Sequence, residues 1–148
     1  MKIKEIMTKE VITADISDKI SKIAELMTKN RIHGIPILKN GQLAGIVTET
    51  DFFVNSLPDL YLPSYINFLK ETKISGDLNK EKKEEIEKLV NSTAGDIMTA
   101  ECVTLEPDSE TDEMIKIIKE KHFFTFPVIN KDMSLAGIVT QADIIKLI

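Results

Sequence analysis

The sequence has no tryptophan, one cysteine and two histidines, and aromatic residues make up only 5% of it. With Cys102 alone, no internal disulfide can form, and an intracellular, cytoplasmic setting is the expectation. His33, Cys102 and His122 are too widely separated for a metal-site spacing, so no metal is expected. Cationic excess is missing too: the net charge is -5, which argues against a large nucleic-acid footprint. No apolar run approaches membrane-spanning length, and Met1 to Lys9 holds no apolar signal core, so no membrane insertion is expected. There is no Walker-type glycine-rich loop. A cysteine nucleophile needs a base beside it, and Cys102 lies in an apolar strand pattern with no histidine placed near it. No complete catalytic constellation remains, and the chain is expected not to be an enzyme.

What the sequence does have is repetition. Gly45-Ile46-Val47-Thr48-Glu49-Thr50-Asp51 returns as Gly137-Ile138-Val139-Thr140-Gln141-Ala142-Asp143, each preceded by Leu-Ala. The pattern is a buried apolar strand running into a helix whose first turn carries a threonine and an aspartate. A hydroxyl at a helix start lies where backbone amides point outward unpaired, a natural place for a phosphate. A carboxylate three residues on would repel phosphate but can accept both hydroxyl protons of a ribose diol. Thr-x-x-Asp could therefore hold a nucleotide by sugar and phosphate. It is equally a capping box, in which the two side chains satisfy the helix's own amides, and chance favours that for a single copy. Two copies in register show one structural unit used twice, not that either binds a ligand.

The register extends well beyond the motif. Glu5-Ile6-Met7-Thr8 matches Asp96-Ile97-Met98-Thr99 at an offset of 91, as does Pro36 with Pro127. At the glycines and at Asp51 and Asp143 the offset is 92, so one residue has been added in between, where a hairpin tolerates it. The 148 residues thus divide into repeats over 1–53 and 92–148, joined by an insertion over 54–91. Units of this length that occur twice are expected to bury one face against each other. Hydrophobic content of 43% and charged content of 29% suit a soluble globular fold with one shared core.

Within each repeat, a short strand ends at Thr13, and Ser17 is a suitable N-cap for the next helix. Ile20, Ile23, Ala24, Leu26 and Met27 fall close to one helical stripe, matched by Thr111, Met114, Ile115, Ile117 and Ile118 behind a cap at Asp108. Met27 and Met114 read as core packing. Asn40-Gly41 between apolar runs predicts a tight antiparallel hairpin. Pro36 and Pro127 place their strands at a start or an edge. The unit is strand, helix, strand, strand, helix. In the insertion, Leu57, Leu60, Tyr61, Tyr65, Phe68 and Leu69 approach helical spacing, Ser75-Gly76-Asp77 marks a turn, and Lys80 to Asn91 forms a charged helix. It is expected to cap the core, with a dimer contact or partner-docking face as the alternative.

The doubled order of "IMT", "VIT" and "VTL", "IPIL" and "FPVI", then "GIVTETD" and "GIVTQAD" resembles a CBS-domain pair, or Bateman module, over everything but the insertion. The resemblance implies an α/β (α+β) fold of two β-α-β-β-α repeats packed about a pseudo-twofold axis, with two related clefts between them. It also implies a regulatory module whose ligand is AMP, ADP or ATP, with no cofactor required. Asp51 and Asp143 would hold ribose, and Thr48 and Thr140 phosphate. Ile35, Pro36, Phe126 and Pro127 would line the adenine slots, with Thr13 and Thr104 alongside. His33 stands where some members contact phosphate, whereas its counterpart Phe124 cannot, or it is a plain exposed helix-end residue; if only one cleft is occupied with high affinity, the one built around Asp51 is expected. Arg31 and Lys121 could add positive charge or be solvated helix ends, and His122 is read as structural. Some members take S-adenosylmethionine or magnesium, and others only dimerise or gate an attached domain. A homodimer is expected here, and any regulated protein is expected to be a separate chain.

Overall fold

The computed structural model describes residues 1–52 and 90–148, together with Glu84, Glu87 and Lys88. The expected insertion lies outside the described residues, except that Glu84, Glu87, Lys88 and Val90 are helical and Asn91 forms a turn. The first repeat runs α1 (Ile3–Ile6), β1 (Ala14–Asp15), α2 (Ile20–Asn30), β2 (Gly34–Lys39) and β3 (Gln42–Thr48), then a 3-10 turn over Glu49–Phe52. The second runs α3 (Ala94–Ile97), α4 (Thr111–Lys121), β4 (Thr125–Ile129), β5 (Leu135–Thr140) and α5 (Gln141–Ile145).

The apolar stripe of α2 is buried at Ile20, Ile23, Ala24 and Met27, while only Met114 of the matching stripe on α4 is fully buried. Asn40 and Gly41 both adopt positive φ, 52° and 77°, which gives a two-residue turn whose twist suits the flanking strands. In the second hairpin the added residue lies between Ile129 and Leu135, the paired ends of a longer loop that turns through Met133 at φ 69°. The first strand begins where the sequence pattern ended it: β1 is Ala14–Asp15, and its counterpart shrinks to one parallel bridge between Leu105 and Val128.

The prolines lie inside β2 and β4, and β2 is the middle strand of its sheet, not an edge. Proline is tolerated because of the direction it faces. The Pro127 carbonyl accepts from the Leu105 amide, so the proline nitrogen points to that same side, away from β5. The hairpin ladder therefore loses no donor.

The expected helix caps are not used. Lys19 and Glu110 occupy the N-cap positions, and neither makes a side-chain cap bond. Ser17 donates to Asp15 at 2.6 Å, and Asp108 accepts from Lys4 at 2.6 Å. The helix-start amides find backbone carbonyls instead: Ile20 donates to Ser92 at 3.1 Å and Thr111 donates to Met1 at 3.0 Å. Each carbonyl comes from the lead-in of the other repeat, so the local sequence could not reveal it.

That exchange runs throughout the packing. Ala94, from the second lead-in, belongs to the core of Ala14, Ile20, Ile23, Ile35, Ile37, Val47 and Phe52. Ile3, from the first, belongs to the core of Leu105, Met114, Phe126, Val128 and Val139. Thr99 exchanges backbone bonds with Ile46 (2.9 and 3.1 Å), and Thr8 does the same with Ile138 (2.9 Å each). The reciprocity is what a pseudo-twofold arrangement requires. It also accounts for both motif glycines. A Cβ on Gly45 would lie 2.6 Å from the Thr99 carbonyl oxygen, and one on Gly137 would lie 2.7 Å from the Met7 sulfur and 2.8 Å from the Thr8 carbonyl oxygen.

Candidate functional site

Between the repeats lies a cleft of about 710 Å³, within the size range of small-molecule sites. One wall comes from the first repeat: Glu10, Val11 and Ile12 before β1, then Arg31, Ile32, His33, Gly34 and Glu49. The opposite wall is Phe124, Thr125, Ile138 and the stretch Thr140 to Asp143, with Lys146 at the end. Helix α2 ends at Arg31, whose left-handed φ of 51° turns the chain so that the next residues enter the cleft wall.

At the floor, Asp143 Oδ2 accepts from the Thr140 amide at 2.8 Å and from the Thr140 hydroxyl at 3.1 Å. Together with the bond from the N3 amide to the threonine side chain, this is a complete capping box. The following helix spans five residues, so its start offers no extended anion site. Oδ1 is the oxygen left over, and the Lys146 ammonium holds it at 3.1 Å. The Asp143 side chain is 12% exposed against 75% for Lys146, so the carboxylate is fixed and the lysine is the movable partner. On the facing wall, His33 Nδ1 and Glu49 Oε1 lie 2.9 Å apart.

The copy at Asp51 is built alike but sits elsewhere. Asp51 Oδ2 accepts from the Thr48 amide at 2.8 Å, and the Thr48 hydroxyl lies 3.4 Å from it and 3.0 Å from that of Thr50. Burial pushes the Asp51 carboxyl above its ordinary value, against hydrogen bonds from Thr48 and Thr99 that lower it. A carboxyl raised on folding contributes most stability below its unfolded value of 3.8, and that contribution is lost as pH rises through the folded value. Asp51→Asn should therefore gain stability relative to wild type as pH is raised from 4 toward 7, measured by urea unfolding at each pH. A gap that shrinks with pH would mean burial does not govern this group.

Of the residues singled out by sequence, the cleft brings together His33, Thr140 and Asp143, along with Arg31. His33 therefore lines the cleft that contains Asp143, and Asp51 does not. Repeat and cleft are different groupings, because each wall comes from a different repeat. Ile35 and Phe126 are 0% exposed and fill the two cores, and Pro36 and Pro127 are also buried, so no side chain of the four lines this cleft. Val11 and Ile12 stand in the wall rather than Thr13, and Thr48, Asp51 and Thr104 lie outside it. Lys121 is in the last turn of α4, outside the lining, while His122 takes the same left-handed cap as Arg31, at φ 56°. Glu10, Glu49 and Lys146 are the residues sequence reasoning missed. Only Lys146 had a local signal, three residues after Asp143 on one helix face.

Burial pushes the Cys102 thiol up, opposite to an activated nucleophile. Among the described residues, no group of three or more metal-ligating side chains is assembled and no helix is long and apolar enough to cross a membrane.

The family model for the CBS domain matches residues 3–56 and 94–148. The chain belongs to the CBS-domain family. As a CBS pair it is 29% identical to the uncharacterized protein MJ1426 of Methanocaldococcus jannaschii, over 99% of this chain and 90% of that one. It is 22% identical to MJ1225 of the same organism over 97% of this chain, but spans only 46% of that longer protein. Among solved structures, CBSX2 in complex with AMP superposes with a TM-score of 0.72 at 19% identity, covering 99% of this chain and 94% of that one. The protein of that name in Arabidopsis thaliana is chloroplastic. The CBS pair of protein MJ0100, in complex with 5-methylthioadenosine and S-adenosyl-L-methionine, superposes at 0.70 with 23% identity over 99% and 94% of the two chains. At these identities the solved structures establish the shared fold.

Proposed function

We propose that this CBS pair is a non-catalytic regulatory module that binds an adenosine-containing ligand in the cleft of Asp143 and passes the binding signal to a separate protein. The observation that carries this reading is the cleft itself. It has nucleotide-sized volume, Arg31, His33 and Lys146 on its walls, the half-exposed Phe124 ring, and a fixed carboxylate on its floor. Ribose hydroxyls would donate to Asp143 Oδ1 in place of Lys146, and the released ammonium would turn to a phosphate. AMP, ADP, ATP and S-adenosylmethionine are all adenosine compounds, and the neighbours solved with AMP and with S-adenosyl-L-methionine support that class. The ligand touches both repeats and can act as a signal only through different affinities for two relative arrangements of them. The homodimer, the cytoplasmic setting and the repeat boundaries at 1–53 and 92–148 belong to this proposal. Exposed Phe123, Ile145 and Leu147 supply apolar surface for a partner.

The second reading is a structural and docking protein in which both Thr-x-x-Asp pairs are caps only. The complete capping box at Thr140 and Asp143 favours it. Thermal unfolding with AMP, ADP, ATP, 5-methylthioadenosine and S-adenosylmethionine separates the two. A ligand at a hundred times its Kd should stabilise the fold by about 2.7 kcal/mol, several degrees in Tm. Asp143→Asn keeps an oxygen for the Thr140 amide but replaces the outward acceptor with a donor. The regulatory reading expects that variant to fold and lose the shift. No shift with any compound on the wild-type protein leaves only the caps.

A further inference from the structure

The cleft carries a charge balance that the repeated motif does not predict. Its lining holds three carboxylates, Glu10, Glu49 and Asp143, against two permanent cations, Arg31 and Lys146, and one histidine. These nitrogen groups are not equally available. Lys146 is engaged by Asp143 at 3.1 Å, and His33 by Glu49 at 2.9 Å. Among the described residues Arg31 makes no ion pair, and it is the cation ready to meet an anion. Both pairs are solvent-exposed on at least one side, so each is weak and can be exchanged. A single phosphate can therefore recruit Arg31 and one released partner. Further phosphates find no unmatched cation and instead face carboxylates set free by the exchange.

We infer that Glu49, with Glu10 on the same wall, makes the cleft select an adenosyl ligand carrying at most one phosphate and reject di- and triphosphates. This rests on the proposed adenosine-binding function and narrows its ligand class. Glu49 acts as a specificity residue: it holds His33 in the unliganded cleft and repels the second and third phosphates of a longer ligand. Its repeat counterpart is Gln141, which is uncharged and lines the same cleft, so the repulsion comes from one wall alone.

Isothermal titration without divalent cations tests this with AMP, ADP, ATP, 5-methylthioadenosine and S-adenosylmethionine on wild type, Glu49→Gln and Lys146→Met. The expected result is binding of AMP, or of an adenosyl thioether or sulfonium, at least tenfold tighter than ATP. Glu49→Gln should narrow the AMP-to-ATP ratio at least fivefold, through tighter ATP binding. Lys146→Met should widen the gap between AMP and 5-methylthioadenosine in favour of the uncharged compound. Raising salt from about 0.02 to 0.5 M should screen the repulsion and narrow the wild-type ratio as well. Whichever of AMP and the phosphate-free compounds binds tighter names the ligand within the class. ATP binding as tightly as AMP, or a ratio that ignores both Glu49→Gln and salt, would overturn the selectivity while leaving adenosine binding intact. Silence from all five ligands overturns the functional proposal itself.

Discussion

Gly45→Ala is expected to destabilise the protein by about 3 kcal/mol, at the upper end of what overpacking costs, and Gly137→Ala by a similar amount. The added methyl on residue 45 would meet the Thr99 carbonyl oxygen at 2.6 Å and the Ala100 Cα at 3.2 Å, both of them backbone. Backbone cannot rotate aside as a side-chain tip can. To make room the lead-in must lift from β3, which breaks the paired bonds between Ile46 and Thr99. At residue 137 the Met7 sulfur can move, but the Thr8 carbonyl at 2.8 Å cannot move without losing its bonds to Ile138. Gly41 provides the contrast. It has open space around it and a φ of 77°, so alanine there should cost only the left-handed backbone penalty of about 1 kcal/mol. Urea unfolding of the three variants checks the order. A loss below that of Gly41→Ala at either motif glycine would mean the crossings are looser than the distances indicate.

Ile3→Ala should cost about 2–5 kcal/mol, the range for emptying a fully buried aliphatic site. The location of the damage is more telling than its size. Ile3 opens the first repeat, yet its side chain is 0% exposed among Leu105, Met114, Phe126, Val128 and Val139. Amide hydrogen exchange should show protection falling first in α4, β4 and β5, with β2 and β3 affected less. Loss concentrated in β2 and β3 would mean the lead-in packs within its own repeat. Thr111, whose amide is capped by the Met1 carbonyl, should rank among the first amides to open.

The two repeats, the hairpins and the α2 stripe could be read from sequence because each is decided by residues close together in the chain. Asn40-Gly41 specifies its own turn, and Ile20, Ile23, Ala24 and Met27 share a face whatever they pack against. Ser17 and Asp108 resemble caps in sequence but do not act as caps, for the opposite reason: the carbonyls that satisfy those helix starts arrive from about 70 residues further along, or 110 residues earlier. Ile35 and Phe126 neighbour the prolines, yet strand alternation buries their side chains in the two cores. His33 and Asp51 belong to one repeat, yet only His33 lines the described cleft. The cleft takes one wall from each repeat, and nothing within a single repeat states which residues will face each other across it.

The reciprocal lead-ins bear on how such a chain could have begun. A single repeat carries a lead-in helix that it does not use in its own core, and it lacks the one that its core requires. Two separate copies could each satisfy the other by trading that segment, so the smallest self-sufficient form of this packing would be a symmetric pair of half-length chains. Fusing the halves into one polypeptide keeps every traded contact and removes the dilution penalty of finding a partner. It also frees the halves to differ, and here one wall carries His33 and Glu49 where the other carries Phe124 and Gln141.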